Sequence, residues 1–185
     1  LSIYRQKNSP RLDSRSVQRL HEQAVDELKH MLTVYGYYSP EITAELTETD
    51  ENNWLAQYKI DLGEPIIIRQ IDAEVKGDAK TDPAFTKMLN KLPLKVGDHF
   101  DHQSYENTKK AFLRLAAEHG YFDGAFTCSE VRVDIEAESA DICLKYDSKQ
   151  RYRFGDIEFP DTVVNADLLE AMSPIDPGEP FDANK

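Results

Sequence analysis

Long apolar runs are missing from this chain, and so are the motifs that usually carry catalysis. No stretch reaches the roughly 18 consecutive apolar residues of a membrane-crossing helix. Basic charge is scarce, with 22 Lys plus Arg against 34 Asp plus Glu and a formal net charge of -12. Such a surface repels a phosphate backbone, and no Lys- or Arg-rich block offsets it, so nucleic acid is not an expected partner. There is no Gly-X-Ser-X-Gly, phosphate loop, His-Glu-X-X-His or dinucleotide fingerprint. We therefore expect no catalytic residues, no metal site and no cofactor. Leu1 is not an initiator methionine, so the absence of a leader sequence says little about compartment.

What the chain does have is a phrase it says nearly twice. Gly36-Tyr37-Tyr38 returns as Gly120-Tyr121-Phe122, 84 positions on. Ile68-Arg69-Gln70-Ile71-Asp72 is echoed by Phe154-Gly155-Asp156-Ile157-Glu158 at a spacing of 86, and Gly97-Asp98-His99-Phe100-Asp101 by Gly178-Glu179-Pro180-Phe181-Asp182 at 81. Nearly equal periods mean a small domain copied in tandem.

The hydrophobic pattern defines each copy. In the first, Val17, Leu20, Ala24, Leu28, Met31 and Tyr35 form a helical stripe that Gly36 ends. Period-two strands follow around Ile42–Leu46 and Trp54–Ile60. The second copy adds an opening strand, Pro65–Val75, a short helix begun by Asp82-Pro83, and a longer one capped by Asp101. Its hairpin spans roughly Phe126–Ile135 and Ala140–Tyr146. The third offers a strand, Tyr152–Phe159, and a helix near Asn165–Met172. The expected class is α+β: tandem small β-α-α-β-β domains, each with two helices on one face of a small mixed sheet. The expected divisions are 1–63, whose opening strand is not evident, 64–148, and 149–185, which begins a further copy. Leu62–Pro65 and Asp147–Gln150 read as short linkers.

This order, with Gly-Tyr-Tyr or Gly-Tyr-Phe after the long helix and Gly-Asp-X-Phe before it, resembles POTRA domains, the periplasmic repeats of the Omp85 outer-membrane assembly family. Leu32–Ile42, Tyr105–Lys110, Gly120–Asp123 and Arg151–Gly155 carry the likeness and place it nearest the translocation-and-assembly-module branch. The resemblance implies a non-catalytic periplasmic segment ahead of a membrane β-barrel outside this sequence. It implies help in inserting or secreting outer-membrane proteins such as autotransporters. Its partners would be an inner-membrane-anchored assembly protein and unfolded outer-membrane clients. Gly36, Tyr37, Gly120, Tyr121 and Phe122 would then be fold positions. An array in two-partner secretion or cell division is the alternative, and an enzyme a remote one.

Other groups need weighing. His99 and His102 stand with Asp98 and Asp101 and could bind a divalent ion if they converged. A turn at Asp98 and a helix cap at Asp101 account for them more simply. Trp54 opens a strand straight after a polar loop and is either core or, with Tyr58, an exposed patch. Small sheets have edges that accept an added strand. Thr43, Glu45 and Arg132 mark the hairpin strands where docking is expected. Cys128 is out of phase with Val131, Val133 and Ile135, and Cys143 with Ile142 and Leu144. The two therefore share an outward face and could bridge adjacent strands in an oxidising compartment; two independent thiols is the other reading.

Overall fold

The computed structural model describes residues 1–6, 13–50, 53–159, 168–169 and 172–185. Its elements run α1 (Ser2–Gln6), α2 (Ser14–Val34), β1 (Glu41–Asp50), β2 (Asn53–Asp61), β3 (Ile67–Lys76), a 3-10 turn (Asp78–Thr81), α3 (Pro83–Asn90), α4 (His102–Glu118), β4 (Ala125–Asp134) and β5 (Ser139–Asp147). Carboxylates start the longer helices, where unpaired N–H groups need acceptors. Asp13 accepts from Ser16 N at 2.8 Å and Asp82 from Ala84 N at 2.9 Å. Asp101 accepts from Gln103 N and Ser104 N, both at 3.0 Å.

The strands form two sheets. β1 and β2 pair antiparallel, Glu41 opposite Asp61 and Glu48 opposite Trp54, with a register slip between Glu48 and Asp50. The second sheet has the order β3-β5-β4. Ile67 N donates to Glu138 O where β3 and β5 begin, and Ser148 N to Lys76 O where they end. Those two strands are therefore parallel, and the sheet is mixed. The sequence pattern had left the central strand open; it is β5. Ala140, Ile142, Leu144 and Tyr146 are buried, and the intervening residues of the strand are half-buried rather than exposed.

The chain divides into two compact units. The first comprises Leu1–Arg69 with Val96–Ser104 and Arg132–Ala140. In it α2 buries Val17, Leu20 and Ala24. The apolar stripe continues in sequence beyond its buried part, for Met31 and Tyr35 are exposed. No opening strand is evident in the sequence of this unit, and Ser2–Gln6 is helical, with both Ser2 N and Ser2 Oγ donating to the Glu27 carboxylate of α2. Among the described residues no strand lies on β2 as β3 lies on β5.

The second unit comprises Gln70–Lys95, Tyr105–Val131 and Asp141–Lys185. Its core is aromatic. Phe85 of α3, Phe112 of α4 and Tyr146 of β5 are fully buried, and Phe126 closes on them with ring centroids 5.9 Å from Phe112 and 5.2 Å from Tyr146. Such pairs add to the burial of their area. The expected linker Asp147–Gln150 is built into this unit. Ser148 is buried, its Oγ accepting from Ala79 N at 3.0 Å and donating to Lys149 O at 3.1 Å. Of the strand expected over Tyr152–Phe159, an isolated bridge remains, Arg153 to Pro180, because the segment pairs only with the loop before Phe181. The helix expected near Asn165–Met172 falls largely outside the described residues.

Cys128 and Cys143 are bridged across β4 and β5, with Cα atoms 5.8 Å apart. Burial along β4 alternates, slips at the exposed pair Ser129–Glu130, and resumes at Val131 in the other phase. Cys128 thus sits before the slip and Val131 and Val133 after it. The bridge closes a loop of 15 residues, for which chain entropy gives about 3 kcal/mol. The denatured, unreduced protein should titrate with no free thiol. Replacing both cysteines by serine should lower the urea-unfolding free energy by up to about 3 kcal/mol. Two titratable thiols would reject the bridge.

Candidate functional site

The three repeated phrases meet in space, and they do so twice. In the first unit Gly36 ends α2, with φ 82°, Gly36 N bonded to Thr33 O and Tyr37 N to Leu32 O. This is the left-handed close of a helix that glycine allows. The carbonyl of Gly36 accepts from Ile66 N at 2.9 Å, so the helix end bonds the segment just past the β1–β2 hairpin. Ile66 O then accepts from Phe100 N, Ile68 N donates to Asp98 O, and Gly97 N to Ile68 O, a short ladder with the Gly97–Phe100 loop. A Cβ on Gly36 would collide with the Phe100 carbonyl and the His99 ring.

The second unit repeats this bond for bond. Gly120 has φ 77°, and Gly120 O accepts from Tyr152 N at 2.8 Å. Tyr152 O accepts from Phe181 N, Phe154 N donates to Glu179 O, and Gly178 N to Phe154 O. A Cβ on Gly120 would stand 2.6 Å from Phe181 Cβ. The fold positions Gly36, Tyr37, Gly120, Tyr121 and Phe122 all lie in these junctions. Tyr37 meets the His99 ring edge at 5.0 Å, and Phe122 packs on Phe181 at 5.0 Å and Tyr152 at 5.3 Å.

The junctions differ in their polar fittings. At the first, Tyr38 OH lies 3.0 Å from His102 Nε2. At the second, Arg151, the counterpart of Pro65, is a hub. Its Nε donates to His119 O at 2.8 Å and its NH2 to Phe181 O at 2.9 Å. Its guanidinium lies over the Tyr121 ring at 5.7 Å and 3.8 Å from Asp82 Oδ2. That same oxygen accepts from Tyr121 OH at 3.1 Å and lies 2.9 Å from His119 Nδ1. Burial opposes ionisation of Asp82, but the Ala84 N–H and the His119 and Tyr121 contacts outweigh it and hold the carboxyl below its ordinary value. Burial, then the Asp82 charge, pushes Tyr121 up to about 12. Sequence reasoning found no partner for His119; the signal available was that helix-capping Asp82 and the junction Gly-Tyr phrase were each already identified.

His99 and His102 thus serve the first junction and Asp101 caps α4. Among the described residues no group of three or more His, Cys, Asp or Glu could hold a metal ion. Thr43 and Glu45 are exposed on β1, opposite Lys59 and Gln57, and Arg132 is exposed on β4, the edge of its sheet. Trp54 and Tyr58 are half-buried and line a cavity of about 390 Å³ with Val17, Leu20 and Leu46, beneath α1 and α2. His21 Nδ1 lies 2.8 Å from Tyr58 OH. Among the described residues no helix is long and apolar enough to cross a membrane.

Residues 1–62 match the family model described as POTRA domain TamA domain 1. Solved structures with a similar backbone include BamA POTRA3-5 of Haemophilus influenzae, at 18% identity and TM-score 0.45 over 88% of this chain and 64% of that one. BamA of Haemophilus ducreyi lacking POTRA domains 1-3 gives 15% and 0.39 over 76% and 24%. POTRA1-3 of the periplasmic domain of Omp85 from Anabaena gives 12% and 0.35 over 80% and 56%. This chain therefore spans less than two thirds of each of those chains.

Two predictions follow the junction chemistry. Gly120→Ala combines a positive φ with a collision and should cost about 2 kcal/mol or more in urea unfolding, with faster proteolysis around Ser148–Tyr152. Gly155→Ala, which meets nothing within 4 Å, should stay within about 0.5 kcal/mol of the parent. Equal effects would show that the close approach of Gly120 to Phe181 is unimportant. For Asp82 the depressed carboxyl stabilises the fold above its unfolded value of about 3.9, and this is lost as pH falls through the lower folded value. Asp82→Asn should therefore flatten the stability curve below about pH 4 and lower stability at neutral pH by roughly 1–3 kcal/mol. An unchanged acid limb would remove Asp82 from the account.

Proposed function

We propose that the chain is a non-catalytic, periplasmic protein-interaction array of a TamA-type outer-membrane assembly protein. It helps insertion or secretion of outer-membrane proteins such as autotransporters. The single observation that carries this reading is the family match over residues 1–62. The twice-built junction supports it, since repeated modules coupled end to end suit a scaffold that holds partners in sequence. We read residues 1–63, 64–148 and 149–185 as successive copies. The partners are an inner-membrane-anchored, TamB-like protein and unfolded outer-membrane clients, with the β-barrel of the same protein following in sequence.

Docking would proceed by strand addition. β1 and β4 are edges, and an extended client could satisfy its backbone groups along either without losing water-bonded polar groups to an apolar surface. Thr43, Glu45 and Arg132 mark those edges. Photocrosslinkers at these three positions should capture client or TamB-like partner in envelope extracts, while one at Lys149, away from both edges, should not. Uniform capture from all four positions, or none, would sink the edge mechanism.

A further inference from the structure

We propose that α3 and the segments on either side of it form a docking surface for anionic membrane lipid, the lysines of this stretch engaging head-group phosphates. Residues 79–95 contain four lysines and one carboxylate, Asp82, in a chain of net charge -12. That carboxylate is buried and bonded to Ala84, His119 and Tyr121, so it neutralises nothing at the surface. Lys80, Lys87, Lys91 and Lys95 are all exposed. Among the described residues the ion-paired lysines, Lys76, Lys109, Lys145, Lys149 and Lys185, lie elsewhere.

The placement is not what stability alone would choose. Lys87 and Lys91 are one helical turn apart on the same face, where like charges repel. Residues 160–177, which occupy the equivalent place in the sequence repeat, have no Lys or Arg and four acids. The charge therefore belongs to this copy rather than to the repeat. Lys87 and Lys91 rim a shallow concavity of about 490 Å³ with Thr81, Pro83, Thr86 and Asn90. Its rim offers ammonium and amide donors with no carboxylate, which suits a phosphate; the Thr81 and Thr86 hydroxyls already donate to Asp78 O and Asp82 O.

Lipid fits better than an acidic peptide. The strip is lysine, a hydrated point charge without the planar fork that grips a carboxylate. The rim gives a peptide neither an aromatic anchor nor a strand edge. Lys87 and Lys91 on the rim, with Lys80 and Lys95 exposed in the segments before and after, instead suit a smeared plane of phosphates. Asp78 and Asp98 bound the stretch at its two ends, and acids more than about 8 Å away are screened at physiological ionic strength. The inference rests on the periplasmic reading only for having a membrane at hand.

Co-sedimentation of the 185-residue chain with vesicles decides it. Phosphatidylcholine vesicles carrying about 30% phosphatidylglycerol should retain the protein at about 0.1 M salt and release it at about 0.5 M, and pure phosphatidylcholine should not retain it. K80Q/K87Q/K91Q/K95Q should weaken binding at least tenfold, whereas K109Q/K145Q/K149Q/K185Q, with the same charge change, should not; circular dichroism checks that both fold. Equal loss in both variants, binding to neutral vesicles, or binding to polyglutamate in place of vesicles would overturn the proposal. The client crosslinks from β1 and β4 do not involve these lysines, so either idea can fail alone.

Discussion

One hydrogen bond organises the rest: the carbonyl of a helix-ending glycine accepting a backbone N–H from just past the hairpin that follows. Gly36 O to Ile66 N and Gly120 O to Tyr152 N are the two instances. A helix terminus carries carbonyls without intrahelical partners, and an extended segment beyond a hairpin carries N–H groups without local ones. Joining them satisfies both orphans with no side chain involved. The glycine is required twice over, because its positive φ turns the carbonyl towards the incoming strand and its missing side chain lets the Gly-X-X-Phe loop close on it. The phenylalanine of that loop then covers the bond, and Phe100 is fully buried. A buried amide bond is worth more than its modest net average once breaking it would strand both groups away from water.

The same frame is fitted out differently at its two occurrences. Pro65 enters the first junction and Arg151 the second. Proline narrows the backbone without adding a donor, so specificity there falls to Tyr37, Tyr38 and the two histidines. Arginine instead supplies several donors to fixed carbonyls and stacks on Tyr121, with Asp82 close enough to balance its charge. The chain-length cost of ordering the long side chain is offset by anchoring it at several points at once. The second junction is accordingly the more polar and the more dependent on Asp82 remaining ionised.

Much of this was legible in the sequence because repetition and periodicity report backbone requirements. Gly36 and Gly120 were recognisable as helix ends, Asp82 and Asp101 as caps, and the period-two runs as hairpins. What no pattern revealed is how groups far apart in sequence converge. Three phrases were visible as repeats, but nothing in their spacing told that they touch. Arg151 looked like the end of a linker, and Ser148 like its middle, since a buried serine is indistinguishable from an exposed one until its partners are known. The half-covered hairpin of the first unit was likewise invisible: Trp54 reads the same whether it fills a core or lines a cavity. Lys80, Lys87, Lys91 and Lys95 escaped a search for basic blocks because they are not adjacent in sequence; helical spacing brings Lys87 and Lys91 to one rim.

Comparing copies separates two kinds of residue. Positions that recur, such as the junction glycines, the aromatic after each and the loop phenylalanine, answer to the fold, and any substitution there is felt as lost structure. Positions that differ between copies are free of that duty. The lysines in and around α3, with no Lys or Arg in the stretch 160–177, and Arg151, matched by Pro65 at the first junction, are of this second kind. In a tandem array a binding surface cannot be spread evenly, because each copy must remain a sound neighbour to the next. Under the proposed function, contacts with partners fall on surfaces that the junction bonds leave uncommitted, and α3 and the edges at β1 and β4 are such surfaces.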